Sequence, residues 1–180
     1  AFSPDGQQLA AGHLDGSVAL YKVADWERVF WEAHDTSVND IAFSPDSRTL
    51  ASGAWEPAVR LWQATDGQSM GTVDSTLPGI FVLAYSPDGN WLALGTTNGP
   101  QVELRAADGG RLGDSIALVD AEVWSLAFTP SSRLLAAGSD EGTVSFYGIA
   151  PDGELTSDGQ LTTTSGINID SMQFSPDGAT

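Results

Sequence analysis

Five copies of one short string set the terms on which this chain can fold: AFSPDG at 1–6, AFSPDS at 42–47, AYSPDG at 84–89, AFTPSS at 127–132 and QFSPDG at 173–178. Their aromatic members, Phe2, Phe43, Tyr85, Phe128 and Phe174, are separated by 41, 42, 43 and 46 residues. A repeat of fixed period is one supersecondary unit that buries its apolar face against copies of itself, and solenoid periods of about 20 to 35 residues do not fit these spacings. Every copy has the same grammar: a short apolar strand, a Pro-Asp-Gly type turn, a second strand such as LAAG (9–12) or LASG (50–53), a second turn and a third strand. Asp5-Gly6, Asp15-Gly16, Asp88-Gly89, Asn98-Gly99, Glu141-Gly142 and Asp177-Gly178 read as hairpin corners, because Asp, Asn and Gly tolerate the left-handed backbone that tight hairpins demand. No stretch carries a helical period.

A period of about 40 to 50 residues with several short strands belongs to four-stranded propeller blades. The expectation is therefore an all-β fold, a β-propeller of four-stranded antiparallel blades, with repeat units at approximately 1–41, 42–83, 84–126 and 127–172 and the start of a further blade at 173–180. Third strands are expected at 17–21, 58–62, 101–105 and 143–147, where inward Val, Leu or Phe alternates with variable residues. Outer strands are placed near 28–32, 69–73, 115–119 and 161–164. The repeat phase opens inside a first strand at Ala1-Phe2 and stops just after another, so the sequence predicts an incomplete arc of a larger ring whose open blade faces favour self-association.

The run AHDTSVNDIAFSPDSRTLASGAWEPAVRLW (33–62) resembles a WD repeat, with its Gly-His, its V-x-x-V-A-F-S-P strand, its S-G-S-x-D turn and its strand ending in Trp-Asp. The resemblance to the WD40-repeat propeller family extends over the whole chain. It implies a hydrogen-bond network within one blade among a His, a Ser or Thr, an Asp and a Trp, which here fall on His34, Ser52, Glu56 and Trp62. Glu56 stands in place of Asp, Trp62 is followed by Gln63, and Ala33 precedes the histidine. In blade one Asp15 and Tyr21 fill the Asp and Trp positions, in blade three Asn98 and Arg105 with Pro100 inserted, and in blade four Glu141 and Tyr147. The last two blades lack the histidine.

Charge and composition remove several classes of function. Asp and Glu number 24 against 7 Lys and Arg, a net charge of -17, and such a field repels phosphate backbones and anionic lipid. Neither nucleic acid nor membrane is expected as a partner, and no apolar run approaches the roughly 18 to 20 residues of a membrane span. The absence of cysteine excludes disulfides, thiolate zinc sites and cysteine nucleophiles within this sequence. GQSMG (67–71) matches a G-x-S-x-G nucleophile pattern, but His13 and His34 both precede it and no helix follows. The acidic stretch 150–159 offers Asp152, Glu154 and Asp158 as oxygen ligands without the spacing of a calcium loop, and reads as a solvated turn. No cofactor, metal or catalytic residue is expected.

Binding is expected on the rim where second turns and the loops leading into first strands converge. Aligning the first strands puts Asn39, Phe81, Trp124 and Asp170 at equivalent positions, and aligning the second turns groups Leu14, Trp55, Thr97 and Asp140. Trp55, Phe81 and Trp124 would form an aromatic cluster bordered by acids, matched to a protein or peptide with apolar anchors and Lys or Arg. The alternative for Phe81 and Trp124 is packing between blades. The resulting reading is a non-catalytic interaction scaffold that also contacts the remaining blades of its ring. Its alternatives are a regulatory propeller of a larger kinase, protease or signalling ATPase, and a propeller of the TolB or prolyl-oligopeptidase type, whose FSPDG repeats are similar.

Overall fold

Each S-P-D string folds as a self-bonded corner that ends one strand and launches the next. In the first copy the Ser3 hydroxyl donates to Asp5 Oδ1 at 2.6 Å, and Ser44 to Asp46, Ser86 to Asp88 and Ser175 to Asp177 repeat the bond at 2.6 Å. The same hydroxyl accepts the N–H that starts the next strand, from Gln8, Thr49 and Trp91, each at 2.9 Å. The Asp carboxylate takes a further backbone N–H from Gln7, Arg48 and Asn90. Side chains thus satisfy donors that the reversal strips from the strand ladder, and Pro presets the turn. The following residue is left-handed in every copy. Gly6, Gly89 and Gly178 adopt it freely, whereas Ser47 and Ser132 hold φ of 62° and 58°. Both serines gain a bond across the blade boundary: Asp5 N–H donates to Ser47 Oγ at 3.2 Å and Asp88 N–H to Ser132 Oγ at 3.0 Å.

The computed structural model describes residues 1–109, 116–118, 121–163 and 166–178, and among them there are fifteen strands and no helix. The first sheet joins β1 (Gln8–Gly12), β2 (Ser17–Lys22) and β3 (Arg28–Glu32), with Phe2 bridged to Leu9 on its inner side. The second joins β4 (Val38–Phe43), β5 (Thr49–Ala54), β6 (Ala58–Gln63) and β7 (Ser69–Asp74). The third joins β8 (Val82–Tyr85), β9 (Trp91–Gly95), β10 (Gln101–Ala106) and β11 (Ile116–Leu118). The fourth joins β12 (Val123–Phe128), β13 (Leu134–Ser139), β14 (Thr143–Ile149) and β15 (Leu155–Thr162). All pairs are antiparallel between consecutive strands. The inner strands β4, β8 and β12 follow one another side by side, so the four sheets stand as successive blades of an arc.

One reading of the outer strands needs correction. The fourth blade's outer strand begins at Leu155 rather than 161, so half of the stretch read as a solvated acidic turn is strand. Its ladder skips a residue, pairing Phe146 with Gly159 and Tyr147 with Ser157, which leaves Asp158 on a bulge. Such a strand is exposed along nearly its whole length and carries no alternating pattern by which to find it. In the third blade the expected 115–119 corresponds to β11; positions 115 and 119, like 164, lie outside the described residues. GQSMG is the start of outer strand β7, with Ser69 exposed, and not a strand-to-helix elbow. Among the described residues no cluster of three or more His, Asp or Glu is arranged to hold a metal ion.

Apolar cores fill the spaces between blades. Val18, Leu20, Leu50 and Trp62 join the first to the second; Val59, Leu61, Ile80, Leu83 and Leu92 join the second to the third; Val102, Leu104, Val123 and Leu135 join the third to the fourth. Because the middle strands are covered on both faces they read as unbroken apolar runs. The glycine at or next to the end of each second strand has a steric reason. A Cβ on Gly12, Gly53, Gly95 or Gly138 would come within 2.5–2.6 Å of Val38, Ile80, Val123 or Ile169, each in the chain entering or forming the next inner strand position.

Candidate functional site

The polar centre of blade two is built by the chain segment crossing from β3 to β4 and by the two middle strands it covers. Ser52, fully buried on β5, receives the Trp62 indole N–H at 2.8 Å and lies 2.7 Å from His34 Nε2. An indole can only donate and a carboxylate only accept, which fixes the chain of protons. Ser52 Oγ accepts from Trp62, which leaves its own proton to donate to His34 Nε2; with that tautomer the imidazole proton is on Nδ1, 3.4 Å from Glu56 Oε2. That last separation is long for a hydrogen bond. Glu56 is anchored otherwise, by Arg60 at 2.8 Å and by the Asp35 N–H at 3.1 Å. Burial holds the His34 imidazole below its ordinary pKa, against the opposing pull of Glu56, so the ring is a neutral hydrogen-bond relay. Burial works to raise Glu56, and the Arg60 guanidinium with the Asp35 N–H outweighs it.

Blade three solves the same problem with other residues. Glu103, fully buried on β10, accepts from the Ser75 hydroxyl, from Thr76 N–H at 3.2 Å and Thr76 Oγ1 at 3.1 Å, and is paired with Arg105. The carboxylate therefore clasps the crossing segment between blades two and three, as Glu56 clasps Asp35 one blade earlier. Sequence alignment placed Arg105 at the Trp position and overlooked Glu103, since the crossing residues that fold over it lie 27 and 28 positions away. The available signal was a charged residue flanked by Val102 and Leu104 in a strand read as apolar. In blade one Asp15 serves its own hairpin, accepting from Ser17 N and Oγ. In blade four Tyr147 is buried at the Trp position.

On the rim three aromatic rings meet in a row. Trp55 from the second turn of blade two lies with its ring centroid 6.1 Å from that of Phe81, and Phe81 meets Trp124 edge-on at 5.1 Å. Trp55 rests against Gly79 and is 38% exposed, while Phe81 and Trp124 are half-buried between blades. Trp124 Nε1 in this row and Asp140 Oδ1 in the second turn of blade four are buried without a hydrogen-bond partner. Asp170 is exposed, next to Ile169, whose N–H is held by Ser139 O at 2.9 Å. Leu14, from the equivalent turn of blade one, is 89% exposed. Asn39 is half-buried, and its amide donates at 2.9 Å to the carbonyl of Ile80, the residue before Phe81.

Asp40, beside Asn39 on the inner strand, is also a tie between blades, accepting Leu83 N–H at 2.9 Å and Ile41 N–H at 2.8 Å. Burial in the inner wall pushes its pKa up to about 6, against the effect of those two N–H groups and the Ala1 ammonium. The folded carboxyl keeps its proton at pH values where the unfolded one has lost it. Stability is therefore lost as pH rises from about 4 through about 6, by on the order of 2 kcal/mol. Asp40→Asn is expected to gain stability relative to the parent between pH 4 and pH 7, read by urea denaturation at each pH. A difference between the two proteins that does not vary with pH would show that Asp40 does not titrate in that window.

Stacked four-stranded blades, S-P-D corners and a buried Trp–Ser–His relay define a β-propeller built from repeats. The profile of the family described as "WD domain, G-beta repeat" matches residues 1–22, 27–63 and 116–147, just over half of the sequence. The chain belongs to the WD40 family. The unmatched stretch 64–115 contains the first three strands of blade three, where Glu103 and Arg105 replace the relay. A solved chain from "Crystal Structure of Mitotic Checkpoint Complex" superposes with a TM-score of 0.81 at 22% identity, over 96% of this chain and 56% of that one. The chain thus spans little more than half the length of that structural relative, and the likeness is one of fold. Comparison with curated proteins found no match.

Proposed function

We propose that this chain is a non-catalytic protein-interaction scaffold that binds partner segments on the rim bearing Trp55, Phe81 and Trp124. The observation that carries the reading is the row of three rings, open to solvent at Trp55; repeat phase assigns Asp140 and Asp170 to the same rim. Aromatics present large rigid area, and a partner's apolar anchor gains most where such rings are already packed. An acidic border, with Asp170 exposed, favours Lys or Arg on the partner and speeds encounter. The similar fold of a chain in a mitotic checkpoint complex supports an assembly role without naming a partner for this one.

Trp55→Ala is expected to weaken partner binding by about 2 kcal/mol, near thirtyfold in Kd, with the thermal midpoint unchanged. Asp170→Asn should mainly slow association and reduce its salt dependence. Calorimetry and stopped-flow binding with a partner recovered by the intact protein test both. An affinity indifferent to Trp55, Phe81 and Trp124 alike would put the binding face elsewhere.

A further inference from the structure

The S-P-D corners lie at the end of the inner strands opposite the rim, and one blade boundary there lacks the stitch that the other two have. Asp5 N–H and Asp88 N–H each end on a serine hydroxyl of the next blade, Ser47 at 3.2 Å and Ser132 at 3.0 Å. The position equivalent to those serines opposite Asp46 is Gly89, which has no side chain to offer. A Cβ on Gly89 would meet nothing nearer than Pro45 Cδ at 3.9 Å, so a cleft of about 460 Å³ stands open between blades two and three. Its walls are partly apolar, made by Leu61, the ring of Tyr85 and Met70, which is 56% exposed.

The charge around this cleft has one sign. Asp46, Asp88 and Asp108 border it, all exposed, and among the described residues no Lys or Arg lines it. The depression one boundary earlier is different, because Lys22 and Arg48 line it together with Asp5 and Asp46 and the charges balance within the chain. Arg48 faces that side. The Ser44 hydroxyl and the Arg48 N–H hold Asp46 below the usual carboxylate range, with the Arg48 charge a lesser cause. Neither Asp46 nor Asp88 forms an ion pair among the described residues. The carboxylates are too spread for a metal ion, since no group of three or more His, Asp or Glu among the described residues is arranged to hold one. Tyr85 Oη is buried at this cleft without a hydrogen-bond partner. Burial, and then the charge of Asp46, holds the phenol above its ordinary pKa, so it stays neutral with its bonding capacity unused.

We infer that this cleft is a second docking site, one that receives an arginine side chain of a partner protein. Long cationic side chains bury their methylene stems along apolar surface, and Leu61, Met70 and the Tyr85 ring provide it. A guanidinium offers five N–H donors in a planar fork, which can serve separated carboxylates and the Tyr85 oxygen together, where the point charge of an ammonium serves fewer. The unstitched corner at Gly89 is what leaves room for the head group. The site lies at the other end of the blades from the aromatic row and does not depend on it.

Panning a phage-displayed library of random dodecapeptides on the protein, with counter-selection on Gly89→Ser, tests this. Serine is accepted at the same corner in blades two and four, and here it would close the mouth of the cleft by taking the Asp46 N–H. The expected result is enrichment of peptides with Arg beside an apolar residue. Their affinity should fall at least tenfold in Gly89→Ser, in Asp46→Asn/Asp108→Asn and when citrulline replaces the arginine, fall several-fold in Tyr85→Phe, and stay unchanged in Trp55→Ala. Tyr85→Phe should melt no lower than the parent, because the hydroxyl it removes has no partner, and this separates lost binding from lost folding. With methyl-labelled methionine, bound peptide should shift the Met70 signal and leave that of Met172, which does not line the cleft. A selection without peptides that prefer the parent to Gly89→Ser would overturn the assignment, as would peptides indifferent to citrulline or a shift of Met172 in place of Met70. Peptides lost in Trp55→Ala but kept in Gly89→Ser would place basic segments on the rim alone.

Discussion

Glu103→Ala is expected to destabilise the protein by about 3 to 5 kcal/mol, the largest effect of any single side-chain truncation on its polar residues. The carboxylate is fully buried, and its loss leaves the Arg105 guanidinium, only 15% exposed, without a counter-charge. It also strips the acceptor from Thr76 N–H and from the hydroxyls of Ser75 and Thr76. Water does not reach the site to replace it, so the penalty is that of a stranded charge plus unsatisfied donors. Glu103→Gln keeps an acceptor and should cost less. Because the two partners act as one unit, Glu103→Ala/Arg105→Ala should lose less than the two single changes added together. Denaturant unfolding of the four proteins measures the cycle; a Glu103→Ala change below about 1 kcal/mol would mean that the clasp contributes no more than a surface pair.

The second large effect falls on Ser52. Ser52→Ala orphans two buried groups at once, the Trp62 indole N–H and His34 Nε2, and about 2 to 4 kcal/mol should be lost. His34→Ala leaves the Trp62–Ser52 bond in place and is expected to cost about 1 to 3 kcal/mol. Ser52→Thr restores the hydroxyl and should recover much of the difference if the added methyl is accommodated. Thermal and urea midpoints of the three variants rank them, and equal stability of Ser52→Ala and the parent would remove the relay from the list of what holds blade two.

What could be read from the sequence was whatever is local or periodic. The S-P-D corners are closed by side chains within five residues of one another, so their chemistry is visible in the string itself. The row Trp55, Phe81 and Trp124 follows from repeat phase, since equivalent positions of successive blades must lie side by side. Phase also assigns Asn39 to this rim, and what it does not show is that the amide is taken by Ile80 O, 41 residues on, since no periodic argument reveals which neighbour captures a side chain. Glu103 was missed for the same reason. Trp31 escaped notice too: it packs 5.5 Å from Trp62 and covers Gly67, from an outer strand that carries little pattern. The start of β15 was misplaced because a solvent-facing ladder with a bulge leaves no alternation to follow.

The alternation of glycine and serine at the left-handed corner divides the arc into couples. Serines stitch blade one to blade two through Ser47 and blade three to blade four through Ser132, both with neutral hydroxyls. The corner facing the boundary between blades two and three is Gly89, and there the fastenings are carboxylates instead: Asp40 on Leu83 and Glu103 on the crossing segment. The first boundary carries a carboxylate besides its serine, Glu56 on the Asp35 N–H beside His34, so charge fastens the first two boundaries and a neutral hydroxyl the third, where dissolved salt has the least to act on.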